Sequence, residues 1–187
     1  GFGFWWKMCM GSSVSAQVGA TTVYQQVHKL ASASMPFFTV QKLVQSYNPT
    51  TGAFTTAPFT WAAQMVKSWT LTIPESGIAT LTVTTTGGGV VTATAAVTPA
   101  ARDADDHLLH SGGASLSTGA YVAPGATTLA TAATPVAGVR SLTITVDNNI
   151  QTQPGWGTAV LRPIPGAMPT VTGTLNVDFV TGGPFTA

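Results

Sequence analysis

Charged residues are scarce in this sequence. Aspartate, glutamate, lysine and arginine make up 7% of its 187 residues, whereas an ordinary soluble domain carries about a quarter. Threonine, serine, alanine and glycine replace the missing charge, while the hydrophobic fraction of 44% is ordinary. Because charged side chains keep a free monomer soluble and discourage association, their scarcity predicts a subunit that hides much of its surface against partners. A domain whose surface is covered by threonine and serine hydroxyls is the alternative interpretation.

Cysteine, an excess of either charge and long apolar stretches are also missing, and each absence excludes a class of protein. Cys9 is the only cysteine, which excludes an intrachain disulfide and a cysteine metal cluster. The formal net charge is +1 and the basic residues are scattered, which argues against wrapping or sequence-specific contacts with nucleic acid. No apolar run approaches the roughly 20 residues that a spanning helix needs, so we expect no membrane partner.

The densest polar cluster does not form a recognised ligand motif. Its members are Asp103, Asp105, Asp106, His107 and His110. Aspartate and histidine can bind divalent metals, but the sequence has neither a His-Glu-x-x-His motif nor an EF-hand loop. A solvated helix start or a polar contact with a neighbouring subunit is therefore the preferred interpretation.

Catalytic motifs are missing as well. The sequence has no Gly-x-Ser-x-Gly nucleophile elbow, and the glycines at 87–89 are not followed by the Gly-Lys-Ser/Thr and helix of a phosphate loop. Cys9 lies in an apolar segment, as a small buried hydrophobe does. We therefore predict that the protein is not an enzyme and has no catalytic residue, no cofactor and no metal site.

Alternation of apolar and hydroxyl-bearing residues predicts a chain made mainly of β-strands. Residues 66–73 place Trp69, Leu71 and Ile73 on one face and Ser or Thr on the other, the period-two pattern of a half-buried strand. A turn joins them to residues 78–86 in a predicted antiparallel hairpin. Further strands are predicted at residues 35–44, 90–97, 139–147 and 171–179.

One short helix and two irregular segments complete this prediction. Residues 99–110 are predicted as a helix, because Pro99 suits a first turn and the acids lie near the N-terminus. Residues 111–138 are predicted mostly as loop, with room for one strand. Residues 1–34 carry large apolar groups, so they either fold back on the domain or dock on a neighbouring subunit. The elements favour an antiparallel β-sandwich or barrel with one wetted or lumen-facing side.

Four segments, in this order, resemble the major tail tube proteins of siphophages. Residues 35–40 read Met-Pro-Phe-Phe-Thr-Val, similar to the family's Leu-Pro-Ser-Phe-Thr-Ile. Residues 66–71 are similar to its Val-x-Ser-Leu-Thr-Leu strand, and residues 141–149 end in its Asp-Asn-Asn. The closing strand with Val-Thr-Gly corresponds to residues 171–177.

This resemblance implies a fold, an assembly and a set of partners. Each subunit is expected to be a β-sandwich with a flanking helix, and inner sheets of hexameric rings would join into a ring-wide barrel around a lumen. Rings would stack into a tube that holds the tape measure protein and then double-stranded DNA, without sequence-specific binding. Tail terminator and distal tail proteins would meet the tube ends. The protein would be assembled in the host bacterial cytoplasm and reside in the virion.

Under this interpretation residues 1–34 form an N-terminal arm, and residues 35–187 form the β-sandwich tube domain with a long loop at 111–138. Stacking would use the arm and a loop from Tyr47 to Phe59. The candidate interface residues are apolar groups in these two segments: Phe2, Phe4, Trp5, Trp6, Tyr47, Phe54 and Phe59.

Two other functions remain open from the sequence. Another virion β-protein, such as a decoration or minor capsid protein, would form trimers or pentamers and no tube. A carbohydrate-binding β-sandwich would use Trp61, Trp69 or Trp156 as a stacking platform and would behave as a monomer. An enzyme is the least favoured class.

Overall fold

The computed structural model describes residues 2–22, 24–31, 35–88, 90–92, 95–98, 108–122, 131–154 and 161–178. The chain is mainly β, with antiparallel sheets and one short α-helix among these residues, consistent with the predicted β-sandwich. The helix is α1 (Phe2–Met10), and the strands are β1 (Gly11–Gln17), β2 (Tyr24–Leu30), β3 (Phe38–Tyr47), β4 (Phe54–Ile73), β5 (Thr80–Thr86), β6 (Val90–Thr92), β7 (Ser117–Val122), β8 (Thr131–Pro135), β9 (Val139–Asp147), β10 (Ile150–Pro154), β11 (Leu161–Pro165) and β12 (Thr170–Val177).

The long strand β4 is the centre of a six-stranded antiparallel sheet. Its first half pairs with β3 on one side and with β6 on the other. Its second half pairs with β5 and β9, and β9 pairs in turn with β12. The part of the sheet around the second half of β4 consists of β5, residues 65–73 of β4, β9 and β12, and we call it the four-strand sheet. The remaining named strands form three separate two-stranded antiparallel sheets, β1–β2, β7–β8 and β10–β11.

The two halves of β4 meet at a kink at Ala63. This residue has a φ of 51°, a left-handed conformation that costs a non-glycine residue about 1–2 kcal/mol. The neighbouring Gln64 is buried, and its side chain satisfies the backbone and side chains around the kink. Its amide nitrogen donates to the Gly88 carbonyl at 3.3 Å, and its amide oxygen accepts from the Thr85 hydroxyl at 3.2 Å. The kink is therefore held by hydrogen bonds from the adjoining β5 end.

Gly87 is the residue that lets β5 approach this kink. A Cβ atom at position 87 would lie 2.8 Å from Gln64 Cα and would also clash with the Ala63 carbonyl oxygen. We expect G87A to lower the free energy of unfolding by about 1–3 kcal/mol, because backbone atoms have to move. The matched control is G113A, since nothing lies within 4 Å of a Cβ there, and it should change stability by less than about 0.5 kcal/mol. Urea denaturation of the two variants would measure this difference, and equal midpoints would contradict the clash.

The four-strand sheet has one apolar face, and α1 covers it. Met8 and Cys9 of α1 pack against the buried side chains of Val66, Trp69 and Val146. Partly buried side chains of the helix and the strands pack against this core, and they are Trp6, Met10, Val40, Leu71, Leu81, Val83 and Ile144. The helix thus forms a second layer over the sheet. A smaller cluster of Met35, Met65 and Ile150 packs separately.

Residues 1–34 contain regular structure that the sequence did not predict. They form α1 and the β1–β2 hairpin, and α1 folds back onto the sheet of its own subunit. The backbone joins the two parts, because Ala31 N donates to Met10 O at 2.9 Å. The sequence left open whether this apolar segment folds back on its own domain or docks on a neighbouring subunit. In the structure α1 folds back on its own domain.

The strand predictions are confirmed where alternation is strongest. The hairpin of β4 and β5 and the strand at residues 139–147 lie where they were expected. The strand predicted from residue 35 begins at Phe38. Of the strand predicted at residues 90–97, β6 covers residues 90–92, and residues 95–97 are not in a strand. Residues 111–138, predicted mostly as loop, contain β7 and β8. Most of the predicted helix at 99–110 lies outside the described residues, and its last three residues are not helical.

Candidate assembly surfaces

The four-strand sheet ends in two open edges. Within the part of the chain that the structure describes, no strand pairs with the outer side of β5 or of β12. Natural proteins protect such edges with charged side chains, proline or bulges, yet neither strand contains a charged residue or a proline. The two edges run antiparallel to each other, because β12 is antiparallel to β9 and both β9 and β5 are antiparallel to β4. Two copies in the same orientation can therefore join β12 to β5 as an antiparallel pair.

The second face of this sheet carries hydroxyl groups in register across all four strands. Two rows contain threonine at every position, and these are Thr82-Thr70-Thr145-Thr172 and Thr80-Thr72-Thr143-Thr174. A third row is Thr84-Ser68-Asp147-Thr170. The Oγ1 atoms of Thr70 and Thr145 lie 3.1 Å apart, so the central hydroxyls bond to each other. Because these side chains are half-buried or exposed, the face is polar, wetted and nearly uncharged.

The predicted arm residues divide between the surface and the core. Phe4 is 48% exposed and Trp5 36% exposed, and both rings contact Phe38 edge-on at centroid distances of 6.2 and 5.8 Å. Trp6 points to the sheet instead, with its ring 5.4 Å from that of Trp69. Phe2 begins α1. A surface role for the arm therefore falls on Phe4 and Trp5, while Trp6 contributes to the fold.

Burial shifts the pKa of two groups, Cys9 within α1 and His28 beside it. Burial raises the pKa of the Cys9 thiol to about 12, because the thiolate would lose its hydration. Burial also lowers the pKa of His28, whose ring lies 6.4 Å from that of Trp6. Cys9 is fully buried and is therefore an inert thiol in the folded protein.

The segment predicted as a loop from Tyr47 to Phe59 is a hairpin with a short turn, which corrects the sequence prediction. Residues 48–53 form the turn, and Phe54 already belongs to β4. Tyr47 and Phe54 pair across the hairpin with ring centroids 5.2 Å apart, and they are 56% and 70% exposed. Phe59 lies away from this tip and pairs with Lys42. We call residues 43–56 the hairpin tip. All its residues from Leu43 to Thr56 are exposed, and Ala57 is the first half-buried residue after it.

A groove lies at the opposite end of β4. It has a volume of about 540 Å³, and apolar parts of its lining include Ile73, Leu116, Val136 and Leu142. Three backbone hydrogen bonds hold the lining segments together, and they are Ala79 N to Leu109 O at 2.8 Å, Ser111 N to Gly77 O at 2.9 Å and Val136 N to Leu116 O at 2.9 Å. The shape of the groove is therefore set by hydrogen bonds within one subunit.

Arg140 lies at the rim of this groove between two acids. Its Nη1 contacts Glu75 Oε1 at 2.7 Å, and its Nε contacts Asp178 Oδ1 at 2.5 Å. The hydrogen bond to Asp178, together with the attraction of both carboxylates, raises the pKa of Arg140. The three groups are about half exposed, so their contribution to stability is small. They do connect the β4–β5 turn, β9 and the end of β12.

The other candidate sites gain little from the structure. Trp69 is 4% exposed and lies in the core, so it cannot be the stacking platform of a carbohydrate-binding module, and Trp156 lies outside the described residues. Asp103, Asp105, Asp106 and His107 also lie outside them, while His110 Nδ1 accepts from Gly112 N at 3.1 Å. In the described ranges, no group of three His, Cys, Asp or Glu side chains could hold a metal ion. No helix in the same part of the chain is long and apolar enough to cross a membrane.

Sequence reasoning singled out aromatic residues and missed the two edges and the groove. The edge strands were visible as alternating segments without charge, but the pairing order that leaves them open is a property of the fold. The groove is formed by segments distant in sequence, at residues 73–76, 110–116 and 135–142. No local pattern indicates it.

The comparisons with known proteins give a single family. A family model described as phage tail tube protein matches residues 1–184. No curated protein and no solved structure matches the chain.

Proposed function

The chain belongs to the phage tail tube protein family, and we propose that its subunits form hexameric rings that stack into the conduit for delivery of the phage genome. Family membership makes the protein a structural component of the virion that assembles with copies of itself into a tube. The observation that carries the finer proposal is the pair of open, uncharged strand edges on a sheet with one hydroxyl face.

Ring closure would join β12 of one subunit to β5 of the next. Both edges offer unpaired backbone groups, and closing a ring satisfies them all. The strands contribute seven and eight residues, enough for a regular antiparallel pair. Repetition around the ring would extend the four-strand sheet into the ring-wide barrel.

The hydroxyl face would line the bore of this barrel. The three rows carry a single charged side chain, Asp147, whose Oδ1 accepts from Asn149 N at 2.8 Å. DNA binds strongly to surfaces that neutralise its phosphates, so a nearly neutral hydroxyl surface lets it slide. The same bore would hold the tape measure protein before the genome passes. Because α1 covers the apolar face, that face would point outward.

The remaining contacts belong to the arm and the tube ends. Phe4 and Trp5 are the exposed aromatic groups of α1 for which the structure gives an exposed fraction, and we assign them to a contact with a neighbouring subunit. Tail terminator and distal tail proteins would meet the two ends of the tube in the virion, after assembly in the host cytoplasm.

Polymerisation of edge variants tests the ring model. In negative-stain electron microscopy across a concentration series, the wild-type protein should form rings or hollow tubes of uniform width. The double variant T82K/T172K puts a positive charge on each edge, at exposed positions of β5 and β12. Like charges across a strand pair cost up to about 1 kcal/mol, so the critical concentration should rise by about fivefold and fall again at high salt.

The charge-swapped control is T82K/T172E, which has the same number of substitutions but opposite charges on the two edges. It should assemble at least as well as the wild-type protein. Equal critical concentrations for the two double variants at low salt would contradict pairing of β12 with β5. A wild-type protein that stays a monomer at high concentration would refute the tube itself.

A further inference from the structure

We propose that residues 108–111 act as a stop that fixes how β12 of one subunit pairs with β5 of the next. In the resulting register Val83 lies opposite Leu175 of the neighbouring subunit, and Thr84 lies opposite Thr174. This inference rests on the proposed function, since it needs the ring-closing strand pair. It adds the residue-by-residue pairing, and with it the tilt of the strands and the width of the bore. We call residues 108–111 the stop segment.

The stop segment occupies the outer side of the chain directly before β5. Ile78 and His110 form an antiparallel bridge there. Beside this bridge Ala79 N donates to Leu109 O at 2.8 Å, so the outward N–H of Ala79 already has its partner. A strand from another subunit cannot lie in the same place. An incoming β12 must therefore end opposite Thr80, the first residue of β5.

Alternate residues on both edges direct their backbone groups outward. In an antiparallel strand, successive residues point their N–H and C=O groups to opposite sides. Because Ala79 N donates away from β4, the odd-numbered residues of β5 point outward. Asp178 N donates inward, to Gly138 O before β9 at 2.8 Å, so the odd-numbered residues of β12 also point outward. Pairing therefore sets odd against odd, which keeps the even-numbered hydroxyl positions on one face.

Only one register of this kind pairs the whole of β5 without meeting the stop segment. The strand β12 ends at Val177, and the chain stays beside β9 as far as Asp178. The register places Asp178 opposite Thr80. A shift of β12 by two residues in one direction drives its end into the stop segment. The same shift in the other direction leaves the first two residues of β5 without a partner strand.

Cross-strand side-chain pairs favour the same register. On the apolar face Val83 lies opposite Leu175, which is 43% exposed in the single subunit. Leu81 lies opposite Val177 on this face. On the hydroxyl face threonine meets threonine, and these pairs are Thr84–Thr174 and Thr86–Thr172. Apolar pairs and threonine pairs both stabilise antiparallel strands, and a shift by two residues either way leaves a single apolar pair.

The register also sets the tilt of the strands. Val83 shares a row with Val171 of its own subunit but faces Leu175 of the next, so neighbouring subunits are displaced by four residues along the strands. Four residues span about 13 Å along a strand, and four strands span about 19 Å across the sheet, which gives a tilt of about 35°. Closed barrels have tilts of about 35–45°.

This tilt widens the bore. Six subunits with four strands each would give a barrel whose circumference is about 140 Å at a tilt of about 35°. The backbone diameter is then about 45 Å, against about 37 Å for strands parallel to the tube axis. The stop segment would therefore determine how much space the tape measure protein and DNA have.

Cysteine pairs on the hydroxyl face test the register. Positions 84 and 174 form a non-hydrogen-bonded pair with Cα atoms about 4.5 Å apart, which suits a disulfide. Mild oxidation of preformed T84C/T174C tubes should give covalent multimers up to the size of one ring. The matched controls T84C/T172C and T84C/N176C represent the two shifted registers. Their Cα atoms would lie about 7–8 Å apart, so they should cross-link about tenfold less.

All four of these positions are exposed in the single subunit, so the substitutions leave the core intact. Cys9 does not compete for oxidation, because it is fully buried and its pKa is raised to about 12. Positions 84 and 174 of one subunit lie on opposite edges of the four-strand sheet, so a disulfide between them must join two subunits.

Proline at position 111 tests the stop segment. The variant S111P removes the N–H that donates to Gly77 O at 2.9 Å. The preceding His110 has φ −97° and ψ 147°, a conformation that suits the residue before proline. In T84C/T172C, S111P should raise cross-linking about fivefold, because a weakened stop lets β12 slip by two residues. S111A keeps the N–H and is the matched control; equal cross-linking with S111P and S111A would refute the stop.

Lysine pairs give a second reading of the register. In T84K/T174K the two charges are directly opposite across the strand pair, where like charges destabilise. In T82K/T172K they are staggered by about 13 Å along the strands, so their repulsion is confined to low salt. T84K/T174K should therefore raise the critical concentration more than T82K/T172K does. The reverse order would overturn the register.

The outcomes separate this inference from the proposed function. If the wild-type protein forms neither rings nor tubes, the proposed function fails. If tubes form and no cysteine pair cross-links, the pairing of β12 with β5 fails; if a control pair cross-links better than T84C/T174C, only the register is wrong. Cryo-electron microscopy of wild-type tubes reads the tilt directly: about 35° supports the register, and about 19° or 46°, the values for the two shifted registers, would overturn it.

Discussion

Replacement of Asn148 by aspartate, N148D, is expected to lower the free energy of unfolding by about 3–5 kcal/mol, the range for an uncompensated buried charge. Asn148 is 2% exposed. Its Nδ2 donates to Cys9 O at 3.2 Å and to Val66 O at 3.1 Å, so one amide joins the C-terminal end of α1 to β4. The substitution removes this donor and places a carboxylate against two carbonyl oxygens.

The pH dependence of N148D identifies the cause. Burial next to two carbonyl oxygens raises the pKa of the introduced carboxyl group in the folded state. A group whose folded-state pKa lies above its unfolded value of about 3.9 is tolerated at low pH and destabilises as the pH rises through the folded-state pKa. Its protonated form can also donate to one of the carbonyls. Urea denaturation at pH 5 and pH 8 should therefore show a smaller loss at pH 5.

The matched control for N148D is N176D. Asn176 is exposed on β12, where its Nδ2 donates to Ser141 Oγ at 2.8 Å, and its replacement should change stability by less than about 0.5 kcal/mol. A loss in N148D that equals the loss in N176D, or that does not depend on pH, would show that the buried amide is not a link between the helix and the sheet.

The sequence predicts those strands that are buried on one face only. Residues 139–147 alternate strictly, and in the structure Ile144 and Val146 pack under α1 while Thr143 and Thr145 lie on the hydroxyl face. Because one face of the sheet is apolar and covered while the other is solvated, apolar and polar residues alternate along the strand with a period of two. The hydroxyl face, and with it the wetted bore of the proposed tube, could therefore be predicted from residue types alone.

The sequence does not predict α1, because its residues are apolar or aromatic nearly all round. An amphipathic pattern is the usual signal of a surface helix, and a segment reading Phe-Gly-Phe-Trp-Trp-Lys-Met-Cys-Met has none. Nine residues are also too few for a stable isolated helix. The helix exists because the apolar face of the sheet needs a cover, which is tertiary information.

The continuation of β4 through the kink escaped prediction for a related reason. Pro58 and the polar turn at residues 48–53 indicated a loop, yet Pro58 lies within β4, next to Leu43. Among the described residues, β6 pairs only with residues 59–61 of β4 and not with Pro58, and proline is tolerated where its missing N–H faces an open edge. The projecting hairpin, and therefore the aromatic tip, could be recognised only once the pairing partners were known.

Truncation of Trp69 to alanine, W69A, should produce the second large effect and release α1 from the sheet. Trp69 is 4% exposed, and its ring meets Trp6 edge-on at 5.4 Å. Loss of a buried tryptophan costs about 3–5 kcal/mol, through lost burial and the cavity left behind. Because α1 depends on packing for its existence, it should detach at lower denaturant than the rest of the sheet.

Cys9 reports this detachment. In the wild-type protein the thiol is inaccessible to solvent and to reagent, since its exposed fraction is 0%. Burial also raises its pKa to about 12, so little reactive thiolate forms. A thiol reagent should therefore label Cys9 in W69A at denaturant concentrations where the wild-type protein stays unlabelled. The matched control is W61A, because Trp61 is only half-buried and lies outside the core. It should lose less stability and keep Cys9 protected, because its ring does not hold α1. Labelling of Cys9 at the same denaturant concentration in W69A and W61A would contradict the assignment of Trp69 as the residue that anchors the helix.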